Sequence, residues 1–351
     1  MDDKILFIPG PVEVDAELRE IMAMPLIGHR SPAFVEKVQA VCDKLKGLFL
    51  TDAHALFENC PATALMDAGV RNLVRKRILH LTSGAFGERW AIVSASCGRQ
   101  VESISVDWGQ PNLPELLHDK LKETHFDAVA VTHNETSTGV CNPLPEIARS
   151  VRDASPETLI LVDTVSGLGG AELRFDEWGL DLAFAGTQKC LALPPGLCVF
   201  AISERAIERA SGMPDRGFML DFERLSKGLA AGRTVATPCV PLVFALSRQL
   251  DRIAKEGLSN RWQRHLDMRS AVTAWAAQKG FSFLPEEPYR SPTVSCLRNS
   301  GHAVPDLIDR AAQAGFILGN GYGQLKGETF RIGHMGDHSI GRLEQLLSAL
   351  A

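Results

Sequence analysis

The sequence has no C-x-x-C pair and no finger-like spacing of metal ligands. Its cysteines stand apart, at Cys42, Cys60, Cys97, Cys141, Cys190, Cys198, Cys239 and Cys296, a scatter that fits a reduced compartment and implies no metal site. Basic residues are not in excess either. Lys and Arg number 37 against 42 Asp and Glu, leaving a net charge of −5. Neither nucleic acid nor a membrane surface is therefore the expected partner, since both favour a basic stripe. The opening MDDKILFIPGPVEV carries two acids where an export signal needs bases, and its apolar run is too short to span a bilayer. Internal repeats and low-complexity tracts are missing as well. These absences leave a cytoplasmic protein of ordinary globular composition, 45% hydrophobic and 23% charged, working on small molecules.

The 351 residues slightly exceed what one large α/β domain needs. The expected organisation is a large domain over 12–240 and a small α+β domain over 241–351, with an N-terminal arm, 1–11. The segment 8–14, IPGPVEV, reads as extended chain, and a helix capped by Asp15 is expected up to Met24. In 32–50, Phe34, Val38, Val41, Leu45 and Leu48 recur at the three-and-four spacing of an amphipathic helix. From residue 55, short apolar runs alternate with helical patterns, which predicts a mostly parallel sheet covered by helices on both faces. The clearest strands, 126–133, 158–165 and 181–188, each end in polar residues. In a doubly wound sheet those ends line one edge, which would bring His133, Asp163 and Lys189 to one crevice. Past residue 240 a proline-containing turn enters a long helix, followed by strands with turns, the helix VPDLIDRAAQAG and the strand ETFRIGHMG.

Lys189 in GTQKCLALPPG is a lysine at the carboxyl end of an inner strand, an unusual place for an amine without a partner. Asp163 stands at the end of another. A buried ion pair explains these two residues as well as a reactive site does. A covalent cofactor such as pyridoxal phosphate explains more, because it needs a lysine amine and an acid beside its ring nitrogen. It would also need a phosphate cradle, an aromatic ring against its face and a cation for the substrate carboxylate. Pro61, placed at the first helical position, would start a helix whose N–H groups near Ala62 and Thr63, with the Thr63 hydroxyl, could hold a phosphate, though any capped helix has this geometry. Thr187 and Gln188 could add donors. Phe86, between glycines in TSGAFGERWA, suits a flat ring, though taken alone it reads better as a turn with a core phenylalanine. Arg331, beyond the glycine-rich loop LGNGYGQLKG, offers a bidentate fork for a carboxylate, though taken alone it reads better as a surface ion pair. Thr136 in THNETSTGV could bond the cofactor's phenolic oxygen, while His133 would pack beneath the ring or cap its strand.

Taken together, PGP near the start, GHRSPAF, THNETSTG, VDTVSGLGG, GTQKCLALPPG, the ATP turn at 236–238 and LKGETFRIGHMG span nearly the whole chain. In this order they resemble the class V, fold type I pyridoxal-phosphate aminotransferases, most closely the alanine–glyoxylate and serine–pyruvate group. The resemblance implies a seven-stranded sheet sandwiched by helices and a homodimer with shared sites. Lys189 would be the Schiff-base lysine and proton shuttle, Asp163 the partner of the ring nitrogen, and Val165 and Phe86 the residues on the two ring faces. Thr136, Gln188, Ala62 and Thr63 would complete the cofactor site, together with Thr237 supplied by the partner subunit. Arg331 would grip the substrate carboxylate, with Gly10 beside the substrate. Two departures are visible: Pro61-Ala62-Thr63 replaces the usual small-residue phosphate turn, and Thr234 stands where many relatives have tyrosine.

The implied reaction moves an amino group from alanine or serine to glyoxylate or pyruvate. Transamination of 2-aminoethylphosphonate with pyruvate, and a non-catalytic protein keeping the fold, are alternatives. No cysteine sits in an obvious mobile loop as a desulfurase needs, and GLGG at 167–170 lacks the spacing of a dinucleotide fingerprint.

Overall fold

The structure is a computed structural model and describes residues 4–350. Its strands, in chain order, are β1 (Ile5–Phe7), β2 (His54–Glu58), β3 (Arg77–Thr82), β4 (Gln100–Ser105), β5 (Ala128–Thr132), β6 (Asn134–Glu135), β7 (Val140–Cys141), β8 (Leu159–Asp163), β9 (Leu182–Gly186), β10 (Cys198–Ile202), β11 (Val294–Arg298), β12 (Phe316–Asn320) and β13 (Thr329–Gly333). Seven form the central sheet in the order β2-β10-β9-β8-β5-β3-β4. Only β10 runs against its neighbours, pairing antiparallel with β2 and β9. This is the mostly parallel seven-stranded sheet expected from the sequence. Every residue of β5, β8 and β9 is buried, which is why these strands read as unbroken apolar runs rather than alternating ones.

The sheet's topology decides where a ligand can sit. From β3 the chain goes to β4 on one side, then returns to β5 on the other. Such a reversal opens a crevice beyond the carboxyl ends of the strands. β8 and β9 continue in parallel from β5, so the residues that follow β3, β5, β8 and β9 meet at one edge.

Local chemistry starts the helices. In α1 (Ala16–Met22) the Asp15 carboxylate accepts the Glu17 N–H at 3.0 Å, and the helix ends two residues before the expected Met24. α2 (Pro32–Phe49) buries all five periodic apolar residues against the sheet layer. α3 (Ala62–Leu73) corrects the expectation for Pro61. Its ψ of 153° is extended, so it caps the helix from outside instead of occupying the first helical position. α4 (Ala85–Ser96) follows β3 directly.

A second sheet, ordered β1-β12-β13-β11, encloses its own core around Phe7, Trp275, Phe316 and Phe330. Its first strand lies in the expected arm: Ile5–Phe7 pairs parallel with Phe316–Leu318. β12 also takes the first residues of the expected glycine-rich loop, because between β1 and β13 their backbone groups find partners on both sides. A helix over Leu258–Lys279 was not legible beforehand. Its inward positions begin with Arg261 and His265 before turning apolar at Met268, Val272 and Trp275, so charge masks the period. No helix among the described residues is long and apolar enough to cross a membrane.

Candidate active site

Beyond the sheet edge lies a cavity of about 360 Å³ lined by Gly10, Ala62, Thr63, Phe86, Thr136, Asp163, Val165, Gln188 and Lys189, all expected from the sequence. Lys189 is the second residue past Thr187, itself just after β9, and only 9% exposed. Its amine donates to the Pro9 carbonyl. This approach requires Gly10: its φ of +88° lies in the left-handed region, and a Cβ there would collide with the Lys189 side chain.

Asp163 and Lys189 make no ion pair among the described residues, so the simple ion-pair reading of the two does not hold. Among the described residues, the one hydrogen bond to the Asp163 carboxylate comes from the Val165 N–H, at 2.8 Å. Burial pushes its carboxyl up to about 7, against the pull of that N–H. Burial, and then the positive charge of Arg331, bring the Lys189 amine down to about 8. Each shift follows from placing a charge in a poorly solvated site without a close counter-ion.

Phe86 is held by a device that the sequence reading passed over. Glu135 is fully buried. One of its carboxylate oxygens accepts the N–H groups of Phe86 (3.0 Å) and Gly87 (3.1 Å) at the start of α4. The other accepts the N–H (3.0 Å) and hydroxyl (2.6 Å) of Ser137. Burial still raises the Glu135 carboxyl above its ordinary range. The Thr136 hydroxyl meets that of Ser166. Arg331 does not line the cavity wall but stands at its border, 9% exposed, its guanidinium donating to the carbonyls of Asn320 (2.9 Å) and Thr136 (3.2 Å). Arg89, one helical step from Phe86, also faces the cavity. The i, i+3 spacing on α4 was the available signal for it.

Three expected residues lie elsewhere. His133 turns away because strand side chains alternate: Thr132 and Asn134 face this cavity, while His133 faces a larger one of about 820 Å³ and packs edge-on to Trp178. It neither packs beneath a ring in the site nor shares the crevice of Asp163 and Lys189. The Thr187 hydroxyl is spent on the carbonyls of Pro194 (2.7 Å) and Leu197 (3.2 Å), bracing the loop after Lys189. Thr237 is exposed in a separate hollow with His29 and Arg30.

Residues 75–309 match the family Aminotransferase class-V. The chain belongs to the class-V aminotransferases. It is 36% identical to an uncharacterised aminotransferase of Methanocaldococcus jannaschii over 95% of this chain and 88% of that one. It is 31% identical to the L-aspartate–glyoxylate aminotransferase of Paracoccus denitrificans, covering 94% and 86%. The crystal structure of alanine–glyoxylate aminotransferase from Nostoc sp. superposes with a TM-score of 0.94 at 31% identity, over 100% of this chain and 95% of that one.

The family's cofactor is pyridoxal phosphate, and the residues present in this aminotransferase fit it. A buried acid without a cationic partner, Asp163, suits a protonated ring nitrogen. Phe86 and Val165 both line the cavity that holds the Lys189 amine. Pro61 offers no side-chain cap to α3, so the first-turn N–H groups at Ala62 and Thr63 are open to a phosphate.

Proposed function

We propose that this aminotransferase moves the amino group of a small amino acid, alanine or serine, to a small 2-oxo acid, glyoxylate or pyruvate. The observation that carries the reading is Arg331 at the border of a cavity whose floor holds Lys189 and Asp163. The Arg331 guanidinium and the Lys189 amine match the carboxylate and α-carbon of an amino acid. The cavity's modest size supports small substrates. The relatives named for glyoxylate support that acceptor.

Pyridoxal phosphate supplies, when bound, an aldehyde that receives the donor nitrogen and a ring that draws electrons from the α-carbon. The chain's own residues do the rest. Asp163 holds a proton at the ring nitrogen's position. Lys189, with its amine brought near neutrality, takes the α-proton and returns it. Arg331 orients the carboxylate, Phe86 and Val165 bracket the flat ring, and the Ala62, Thr63 and Gln188 groups bind phosphate. Gly10 leaves room for the substrate beside the lysine.

The same reading takes the protein as two units, 12–240 and 241–351, and as a homodimer, with Thr237 reaching the partner's phosphate. The exposure of Thr237 away from its own cavity supports that arrangement. The scattered cysteines support a cytoplasmic setting.

Purified protein should be yellow, lose that absorbance on borohydride treatment and carry the label at Lys189. Protein that stays colourless with added pyridoxal phosphate would sink the reading. A panel of amino donors against glyoxylate and pyruvate, ranked by kcat/KM, identifies the substrates.

A further inference from the structure

We propose that Arg89 is a second anion seat, which reads the donor's side chain and admits, beside alanine and serine, donors that carry a second carboxylate, such as aspartate. The proposal rests on the transaminase reading above and deepens it. Arg89 lines the same cavity as Lys189 and Asp163. Its guanidinium donates to the Tyr322 hydroxyl at 2.8 Å and lies 5.0 Å from the centre of the Phe86 ring. Phe86 and Tyr322 stack on each other at 5.5 Å, so the guanidinium is held by two rings that are themselves packed together.

No carboxylate among the described residues pairs with Arg89. Glu88, its neighbour, turns away to accept the Trp108 N–H at 2.7 Å. Glu135 is occupied by four donors. Arg331 lies over the face of the same Tyr322, 5.5 Å from the ring centre. The tyrosine therefore stands between two guanidinium groups, one at its hydroxyl and one over its face. Two unpaired cations beside a small, largely apolar-walled cavity favour a ligand with two anionic groups over one with a single group. Arg331 takes the α-carboxylate and Arg89 the distal one, and Tyr322 fixes the gap between them. The preorganised fork loses little freedom on binding.

Cofactor-loaded enzyme is titrated with succinate and with propionate, which carry two carboxylates and one, and neither of which can react. Succinate should bind at least about tenfold more tightly, the scale of one charged hydrogen-bonded contact. Arg89→Met, which keeps the apolar stem, should erase the difference, and Arg89→Lys should restore part of it. The kcat/KM ratio of aspartate to alanine should fall by roughly tenfold in Arg89→Met. Equal binding of succinate and propionate to the unaltered enzyme overturns the proposal. So does an Arg89→Met enzyme that loses pyridoxal phosphate while keeping the succinate preference, since Arg89 would then serve the cofactor. If no donor is turned over, the transaminase reading fails, and the succinate-to-propionate ratio still decides the role of Arg89.

Discussion

The Glu135 carboxylate accepts the backbone N–H of Phe86 at 3.0 Å, so a buried acid at one strand end sets the ring position at the start of α4, about fifty residues earlier in the chain. All four groups around this carboxylate donate. An amide in its place would turn an NH₂ toward two of them. Glu135→Gln should therefore cost about 1–3 kcal/mol of stability and speed cofactor loss, measured by urea unfolding and by dialysis against cofactor-free buffer. Retention of cofactor equal to that of the unaltered enzyme would show that Phe86 is positioned by something else.

Arg331 is the proposed anchor for the α-carboxylate. Arg331→Ala should lower kcat/KM for alanine on the order of a hundredfold, with a much smaller effect on an amine lacking a carboxylate. Equal losses for both substrate types would remove Arg331 from that role.

The raised carboxyl of Asp163 predicts a pH dependence in the cofactor-free protein. Its folded value, about 7, lies above the ordinary 3.8, so between those values the folded protein binds more protons than the unfolded chain. Stability from this group is full below pH 4 and is lost as pH rises toward 7, at up to about 1.4 kcal/mol per pH unit. The stability of the unaltered protein minus that of Asp163→Asn should therefore fall between pH 5 and 7 and level off above. Lys189 acts in the opposite sense. Its value of about 8 lies below the ordinary 10.5, so its penalty is full below pH 8 and relieved on the way to 10.5. A flat difference for Asp163→Asn from pH 5 to 7 would refute the shifted carboxyl.

Arg261 braces the lysine loop from behind. Only 2% exposed, it donates to the carbonyls of Gly169 (3.0 Å) and Cys190 (2.8 Å) and pairs with Glu256 (2.7 Å) and Asp337 (2.8 Å). Arg261→Met removes one of two cationic partners from each acid, leaving Glu256 to Arg264 and Asp337 to Arg252, strips both carbonyls of their donor, and should cost about 3–5 kcal/mol in urea unfolding. Adding Asp337→Asn should recover part of that loss. A cost under about 1 kcal/mol would mean that the network is slack.

Residues whose chemistry breaks an apolar run were legible in the sequence. Asp163 stands out as the one polar residue of β8 and Lys189 as a charge three residues past the wholly apolar β9, and the sheet follows from the same runs. Position on the strand was harder to read. His133 and Asn134 are neighbours in sequence, yet the alternation of side chains sends them to different cavities. Supporting residues left little trace. Arg261 and His265 occupy inward helix positions normally filled by apolar residues, and Tyr322 lies in a segment dominated by glycine. Their partners are far away in the chain, and only the folded arrangement brings them together.

The pairing of β1 with β12 also sets an order of assembly. Ile5 waits for Phe316, more than three hundred positions later, before Pro9 and Gly10 can be drawn over the lysine. A ribosome delivers those partners at opposite ends of synthesis, and contacts so distant in sequence close late. The nascent enzyme would therefore stay open at its reactive amine until the last strands emerge. Chains arrested before residue 316 should bind pyridoxal phosphate no better than a surface lysine does, and tight retention by such a chain would disprove the sequence of events.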